Sequence, residues 1–155
     1  MSEFVHASAV IVGERAVLVR GASGSGKSSL ALALLARAGL AGCFAALVGD
    51  DRVGLVPRAG RLVVRAHPEI AGQIERRGFG IVRIAHEPAA VVGLVVDLLA
   101  AGEAVERLPS PRDIRVCLQT IWLPRLVLAH GTGAQERVEA VFAGMSDFLM
   151  AGMPE

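Results

Sequence analysis

The sequence predicts an α/β fold, with a mixed central sheet flanked by helices, and three observations support it. First, the glycine-rich stretch Gly21-Ala22-Ser23-Gly24-Ser25-Gly26-Lys27-Ser28 follows the apolar run Ala16-Val17-Leu18-Val19, which reads as a buried strand. It precedes residues 28–37, whose Leu and Ala content reads as a helix. Second, the chain is 53% hydrophobic and only 20% charged, and its many Val, Leu and Ala residues suit a sheet covered by helices on both faces. Third, further short apolar runs are punctuated by Gly, Pro and Asp, and the C-terminal part changes to a helical period.

The elements follow in order. Residues 4–12 read as a strand with His6 near its start, and Gly13-Glu14 turns the chain into the strand over 16–19, making a hairpin. The helix after the glycine-rich stretch has Arg37 in its last turn and is expected to stop at Gly39 as its C′ residue. Phe44-Ala45-Ala46-Leu47-Val48 is an apolar strand that ends in Gly49-Asp50-Asp51-Arg52, and residues 53–56 form the next strand. Residues 62–65 read as a strand, and Pro68-Glu69-Ile70-Ala71-Gly72-Gln73 as a helical turn with proline near its start. Residues 74–82 crowd charge, glycine and strand-like side chains together, so a charged turn is the default reading. The run 91–96 continues apolar past Asp97, which puts that aspartate inside an element. Pro109-Ser110-Pro111 marks a connection. Residues 121–128 suggest strands broken at Pro124, with Arg125 as an exposed edge charge. Val138, Val141, Phe142, Met145, Phe148 and Leu149 form a core-facing stripe on a helix over 135–150.

The bulk properties narrow the function classes. A length of 155 residues suits one domain spanning 1–155. A net charge of +1 and scattered arginines give no electrostatic case for nucleic acid. Charges or glycine interrupt every apolar stretch before about 18 residues, which argues against a membrane span. Ser2-Glu3 stands where a signal peptide would carry basic residues. Cys43 and Cys117 are too few for a disulfide framework and imply a reducing, cytoplasmic setting, with both expected as buried small hydrophobes.

The chemistry centres on residues 21–28, which match the phosphate-binding pattern G-x-x-x-x-G-K-[ST] in its strand–loop–helix context. The glycines let backbone N–H groups turn inward around an anion, and the helix N-terminus adds partial positive charge. Lys27 then reaches the β- and γ-phosphates of ATP, facing solvent while the loop is empty, and Ser28 ligates Mg²⁺. Lys27 is the only lysine beside fifteen arginines, so an Arg-biased chain still places an ammonium here. Asp50 and Asp51 lie at a strand end within reach of Mg²⁺ or of an attacking hydroxyl, although an Asp-Asp turn reads as well locally. Alternation sends the two side chains different ways, and the pair ranks above Asp97. His6, a lone histidine at a strand end, is by itself an ordinary structural residue.

Together the loop 21–28, Asp50-Asp51-Arg52, the stretch Glu75-Arg76-Arg77-Gly78-Phe79-Gly80-Ile81 and His6 resemble the catalytic domain of bacterial HPr kinase/phosphorylase. The resemblance runs over most of residues 4–108 in the right order and thins beyond. It implies ATP-dependent phosphorylation of a serine of HPr, a cytoplasmic phosphocarrier protein, and a homo-oligomer. It also implies that Gly21, Ala22, Ser23, Gly24, Ser25, Gly26, Lys27 and Ser28 bind the nucleotide and that Ser28 and Glu75 ligate Mg²⁺. The resemblance further implies that Asp51 takes the serine proton, alongside Lys27, His6 and Arg107 as catalytic-site residues. Three departures stand out: Ser29 where the family usually has Glu, Arg76 where it has Ile, and no equivalent near residues 126–131 of the segment tied to phosphorolysis. The reverse reaction is therefore expected to be weak, and the chain resembles a short, single-domain form. The loop alone also fits a small-metabolite kinase, with 107–120 as its lid, or a nucleotide-sensing module without catalysis.

Overall fold

The structure, a computed structural model, describes residues 3–103 and 114–151. Its elements are β1 (Glu3–Val5), β2 (Ala7–Val12), β3 (Arg15–Arg20), α1 (Lys27–Leu40), β4 (Ala45–Gly49), β5 (Val53–Arg58), β6 (Arg61–Ala66), β7 (Gln73–Arg76), β8 (Gly80–Arg83), β9 (Ala89–Leu98), β10 (Arg115–Leu118), β11 (Ile121–Leu128) and α2 (Ala134–Ala151). The expected hairpin is β2–β3, paired without a break from Ala7↔Arg20 to Val12↔Arg15. His6 divides the expected strand over 4–12 into β1 and β2.

The main sheet runs β1-β5-β6-β9-β3-β2-β4, with β11 also on β9. It is mixed: β3 and β11 lie parallel to β9, while β6 pairs with the first part of β9 antiparallel. β9 is apolar through most of its ten residues because both of its edges and both of its faces are covered. Both helices lie on one face, where Val10, Val17, Val19, Leu94 and Val96 meet Leu30 and Leu34 of α1 and Val141 and Met145 of α2. The opposite face carries no helix among the described residues. Ala9, Ile11, Leu18, Val48 and Val95 pack there against Leu55, Leu62 and Val64 of β5 and β6 as the sheet curls over itself. The composition thus fits burial on both faces, but one cover is sheet instead of helix.

Local departures have local causes. α1 runs one residue past Gly39, to Leu40. Ala41 caps it, Gly42 takes the left-handed φ of 72°, and Cys43 N–H reaches Ala38 O at 2.9 Å while Gly42 N–H reaches Gly39 O at 3.2 Å. Residues 67–72 form turns, not a helical turn, and lead into the separate hairpin β7–β8. Pro124 does not break β11. It stands where the strand changes partner, pairing β10 through residues 121–124 and β9 through residues 125–128, so the missing N–H falls at the changeover. Cys43 and Cys117 are exposed, one in the turn after α1 and the other on the outlying hairpin β10–β11, where little covers either side chain. Of the segment 107–120 considered as a lid, residues 107–113 lie outside the described residues, and 115–118 form β10.

Asp97 lies inside β9, as expected, and is nearly buried. It accepts hydrogen bonds from Arg20 Nε and Nη2 at 2.7 and 2.8 Å and from Arg125 Nε. Arg125 is therefore an ion-pair partner and not a free edge charge. Burial acts to raise the Asp97 pKa, but hydrogen bonds and charge from the two arginines outweigh it and hold the carboxyl below its ordinary range. A folded-state pKa below the unfolded one means that the stabilisation is complete above the unfolded value of about 4 and is lost as pH falls through the folded value. Asp97→Asn should cost roughly 1.5–3 kcal/mol at neutral pH, the scale of hydrogen bonds to a charged group. Urea titrations of wild type and variant should differ at pH 7 and converge as pH drops below about 4.

Candidate active site

Because β2 lies antiparallel between β3 and β4, one edge of the sheet collects the end of β3, the start of β2 and the end of β4. Residues 21–26 leave β3 there and lead directly into α1. Gly24 and Gly26 have φ of 80° and 100°, values that side-chain-bearing residues rarely adopt, and Gly26 is the N-cap of α1. The loop borders an open cleft of about 630 Å³ that Ser28, Asp50, Asp51, Glu75 and Arg77 also line.

Asp50 reaches this cleft through an irregularity in β4. Ala9 pairs with Gly49 but Val10 pairs with Leu47, leaving Val48 as an extra residue in β4. Val10 and Leu47 face the helices, while Val48 faces the other core. Simple alternation would send Asp50 away from α1, and the bulge turns it back. The result is a carboxylate only 6% exposed and ringed by donors. Ser8 Oγ donates to Oδ1 at 2.7 Å, Ser28 Oγ approaches Oδ1 and Oδ2 at 2.7 and 2.9 Å, and Glu75 N–H donates to Oδ2 at 3.3 Å. The Ser28 hydroxyl and the Glu75 backbone N–H thus meet around Asp50, one of the two strand-end aspartates and the one to which the resemblance assigns no role.

Asp51 turns outward in the left-handed region, φ 67°. Its N–H donates to Ser8 Oγ at 3.1 Å, so one buried hydroxyl serves both aspartates. The Asp51 carboxylate is exposed and lies 3.1 Å from His6 Nδ1. The other ring nitrogen, Nε2, is 3.0 Å from Lys27 Nζ. One tautomer satisfies both contacts: Nδ1–H donates to Asp51 and Nε2 accepts from the ammonium. A continuous chain therefore links Asp51, His6 and Lys27. Lys27 itself does not face solvent. It is 5% exposed and donates to the carbonyls of Gly21 and Ala22 at 3.0 and 3.1 Å, because a buried ammonium has to spend its donors. Arg107 lies outside the described residues.

Ser8 had one sequence signal, its place as the single hydroxyl in the otherwise apolar residues 7–12. Among the described residues no three His, Cys, Asp or Glu side chains cluster closely enough to hold a metal by themselves.

The family model of the HPr Serine kinase C-terminal domain matches residues 1–109. The chain is 37% identical over 76 residues to an HPr kinase/phosphorylase of Mycoplasma mycoides subsp. mycoides, a stretch that covers 49% of this chain and 22% of that protein. It therefore spans under a quarter of that relative's length. The solved structure of the Hpr(Ser) kinase/phosphatase from Coxiella burnetii is similar with a TM-score of 0.76 over 97% of this chain and 99% of that one. At 22% identity this likeness is one of fold.

Lys27→Met removes the ammonium while keeping the apolar stem. Because Lys27 holds two loop carbonyls without any ligand, the variant should lose about 1.5–3 kcal/mol of stability, the scale of charge-assisted hydrogen bonds. Thermal melts of the ligand-free protein should show Tm lowered by several degrees.

Proposed function

The chain belongs to the family of HPr serine kinase C-terminal domains, and we propose that it transfers the γ-phosphoryl group of ATP to a serine hydroxyl of an HPr-like phosphocarrier protein. The observation that carries this reading is the exposed carboxylate of Asp51 at the cleft, linked through His6 to the lysine of the phosphate loop. In this reading the loop cradles the β- and γ-phosphates on its backbone N–H groups, and Lys27 exchanges the Gly21 and Ala22 carbonyls for phosphate oxygens. The acceptor serine approaches Asp51, which takes the hydroxyl proton as the oxygen bonds to the γ-phosphorus and the bond to the β-bridging oxygen breaks. His6 keeps Asp51 oriented and joins it electrostatically to Lys27.

The donor set fits Mg²⁺, which takes hard oxygen ligands and is held by one or two carboxylates together with substrate phosphates. Ser28 and Glu75 would hold it, with Asp50 beside Ser28 as a third oxygen donor. Bound there, Mg²⁺ would neutralise charge developing on the phosphates. Ser28 Oγ must then give up its bond to Asp50, which the two remaining donors on that carboxylate tolerate.

The proposal extends to setting and direction. Cytoplasm is the compartment that keeps the exposed thiols of Cys43 and Cys117 reduced, and no helix among the described residues is long and apolar enough to cross a membrane. A homo-oligomer follows from the resemblance alone. Phosphorolysis of phosphoserine brings two anions together and needs cations to offset their repulsion. Arg125, the arginine beside residues 126–131, where the phosphorolysis segment has no recognisable equivalent, is already held by Asp97, so the forward reaction should dominate.

The test is incubation with γ-labelled ATP, Mg²⁺ and HPr. Label on an HPr serine is the expected result, and ATP binding without transfer to HPr overturns the choice of acceptor. Asp51→Asn should bind ATP nearly normally and transfer phosphate at least ~10²-fold more slowly, the scale for removing a general base. Asp50→Asn should instead raise the Mg²⁺ concentration needed for half-maximal rate. Initial rates with phosphoserine-HPr plus phosphate should fall well below the kinase rate.

A further inference from the structure

One residue that grips the loop lies beyond the part of the chain matching the family model. Arg137 is the fourth residue of α2, and its Nη1 donates to the carbonyl of Ser25 at 3.1 Å. A Cβ at Gly26 would sit 2.9 Å from the same nitrogen, so the guanidinium packs directly on the backbone of the N-cap of α1. Among the described residues, the buried side-chain polar atoms without a hydrogen-bond partner are Ser25 Oγ and Arg137 Nε, which belong to the two residues of this contact. The helix that brings Arg137 here is itself fixed: Arg37 of α1 bonds Glu139 at 2.9 Å and lies over the ring of Phe142, and Val138 is buried in the shared core.

We propose that Arg137 is a positioning residue of the phosphate loop, locking the Ser25–Gly26 peptide so that the Gly26 N–H faces a bound β-phosphate. A planar trans peptide points its C=O and N–H in opposite directions, and the described chain contains no cis peptide bonds. Anchoring Ser25 O on Arg137 therefore directs Gly26 N–H to the opposite side of the peptide, the side on which the proposal places the phosphate. Gly26 holds this orientation at φ 100°, where the peptide would otherwise be free to flip. The arginine, which itself lines the cleft, also sets a permanent positive charge beside the loop, and its unpaired Nε–H leaves one donor unspent.

The inference rests on the reading of residues 21–28 as a nucleotide site, and the experiment separates the two. Arg137→Met keeps the side-chain stem but removes every donor, and Arg137→Lys keeps the charge and one donor. ADP affinity is measured by calorimetry, the Gly26 amide shift on ADP addition by ¹H–¹⁵N NMR, and the ligand-free Tm by melting. Arg137→Met should bind ADP about tenfold more weakly, on the order of one hydrogen bond involving a charged group, with a diminished Gly26 shift. Arg137→Lys should recover most of both. Wild-type affinity and shift in Arg137→Met overturn the inference. It also falls if both variants lose affinity equally and only in step with a lowered ligand-free Tm, which marks a structural role. Wild-type protein that fails to bind ADP overturns the nucleotide reading and the inference with it.

Discussion

A carboxylate taken out of water at the end of a strand must be surrounded by donors, and meeting that requirement for Asp50 arranges most of the site. Its donors come from three separate elements: Ser8 from β2, Ser28 from the first turn of α1 and the backbone of Glu75 from β7. Each bond constrains where its element can lie. The start of α1, the end of β4 and the β7–β8 hairpin are thereby gathered around one side chain. The Ser8 hydroxyl extends the same constraint to the neighbouring residue by holding Asp51 N–H in the left-handed conformation. Losing a donor with no cation in its place leaves a buried charge short of partners, a costly condition.

A second charged knot lies along the same edge. Arg20, the residue before Gly21, is tied to Asp97 of β9, and Asp97 to Arg125 of β11. Three parallel strands are thus cross-linked next to the point where the loop departs. With α1 and α2 on one face and the curled strands on the other, the glycine-rich backbone of residues 21–26 emerges from a scaffold braced on both sides. Two helix N-termini border the cleft, and both direct partial positive charge toward it.

The legible parts of the fold were those set by local pattern. The phosphate-loop spacing, the β2–β3 hairpin, the apolar run of β4 and the part of the α2 stripe formed by Val138, Val141, Phe142 and Met145 are all visible in the order of residues, while the side chains of Phe148 and Leu149 lie outside the described residues. The grouping of His6, Asp51 and Glu75 came from resemblance, since no period or spacing connects positions so far apart in the chain. What stayed hidden depended on tertiary contacts. A buried lysine looks the same in sequence as an exposed one, and only the carbonyls of Gly21 and Ala22 and the His6 ring distinguish them. Ser8 and Arg137 act through partners 42 and 112 residues away. The cover on the second face was misread because burial asks only for apolar neighbours, and β5 and β6 supply these as well as a helix would.

The extra residue in β4 also bears on how this chain can accept insertions and deletions. Removing Val48 would leave an apolar strand of ordinary appearance, with Leu47 still opposite Val10 and Gly49 still opposite Ala9, now in unbroken register. Parity would then keep the first aspartate of the pair on the Ser8 side, where the extra residue now puts it. A strand of unchanged length paired without the extra residue would instead set Val48 opposite Ala9 and turn that aspartate toward the β5–β6 side, away from its donors, with composition and hydrophobic pattern unchanged. A one-residue gap at this point in an alignment of related chains therefore preserves the surroundings of each aspartate, and an ungapped match to a chain without the bulge does not.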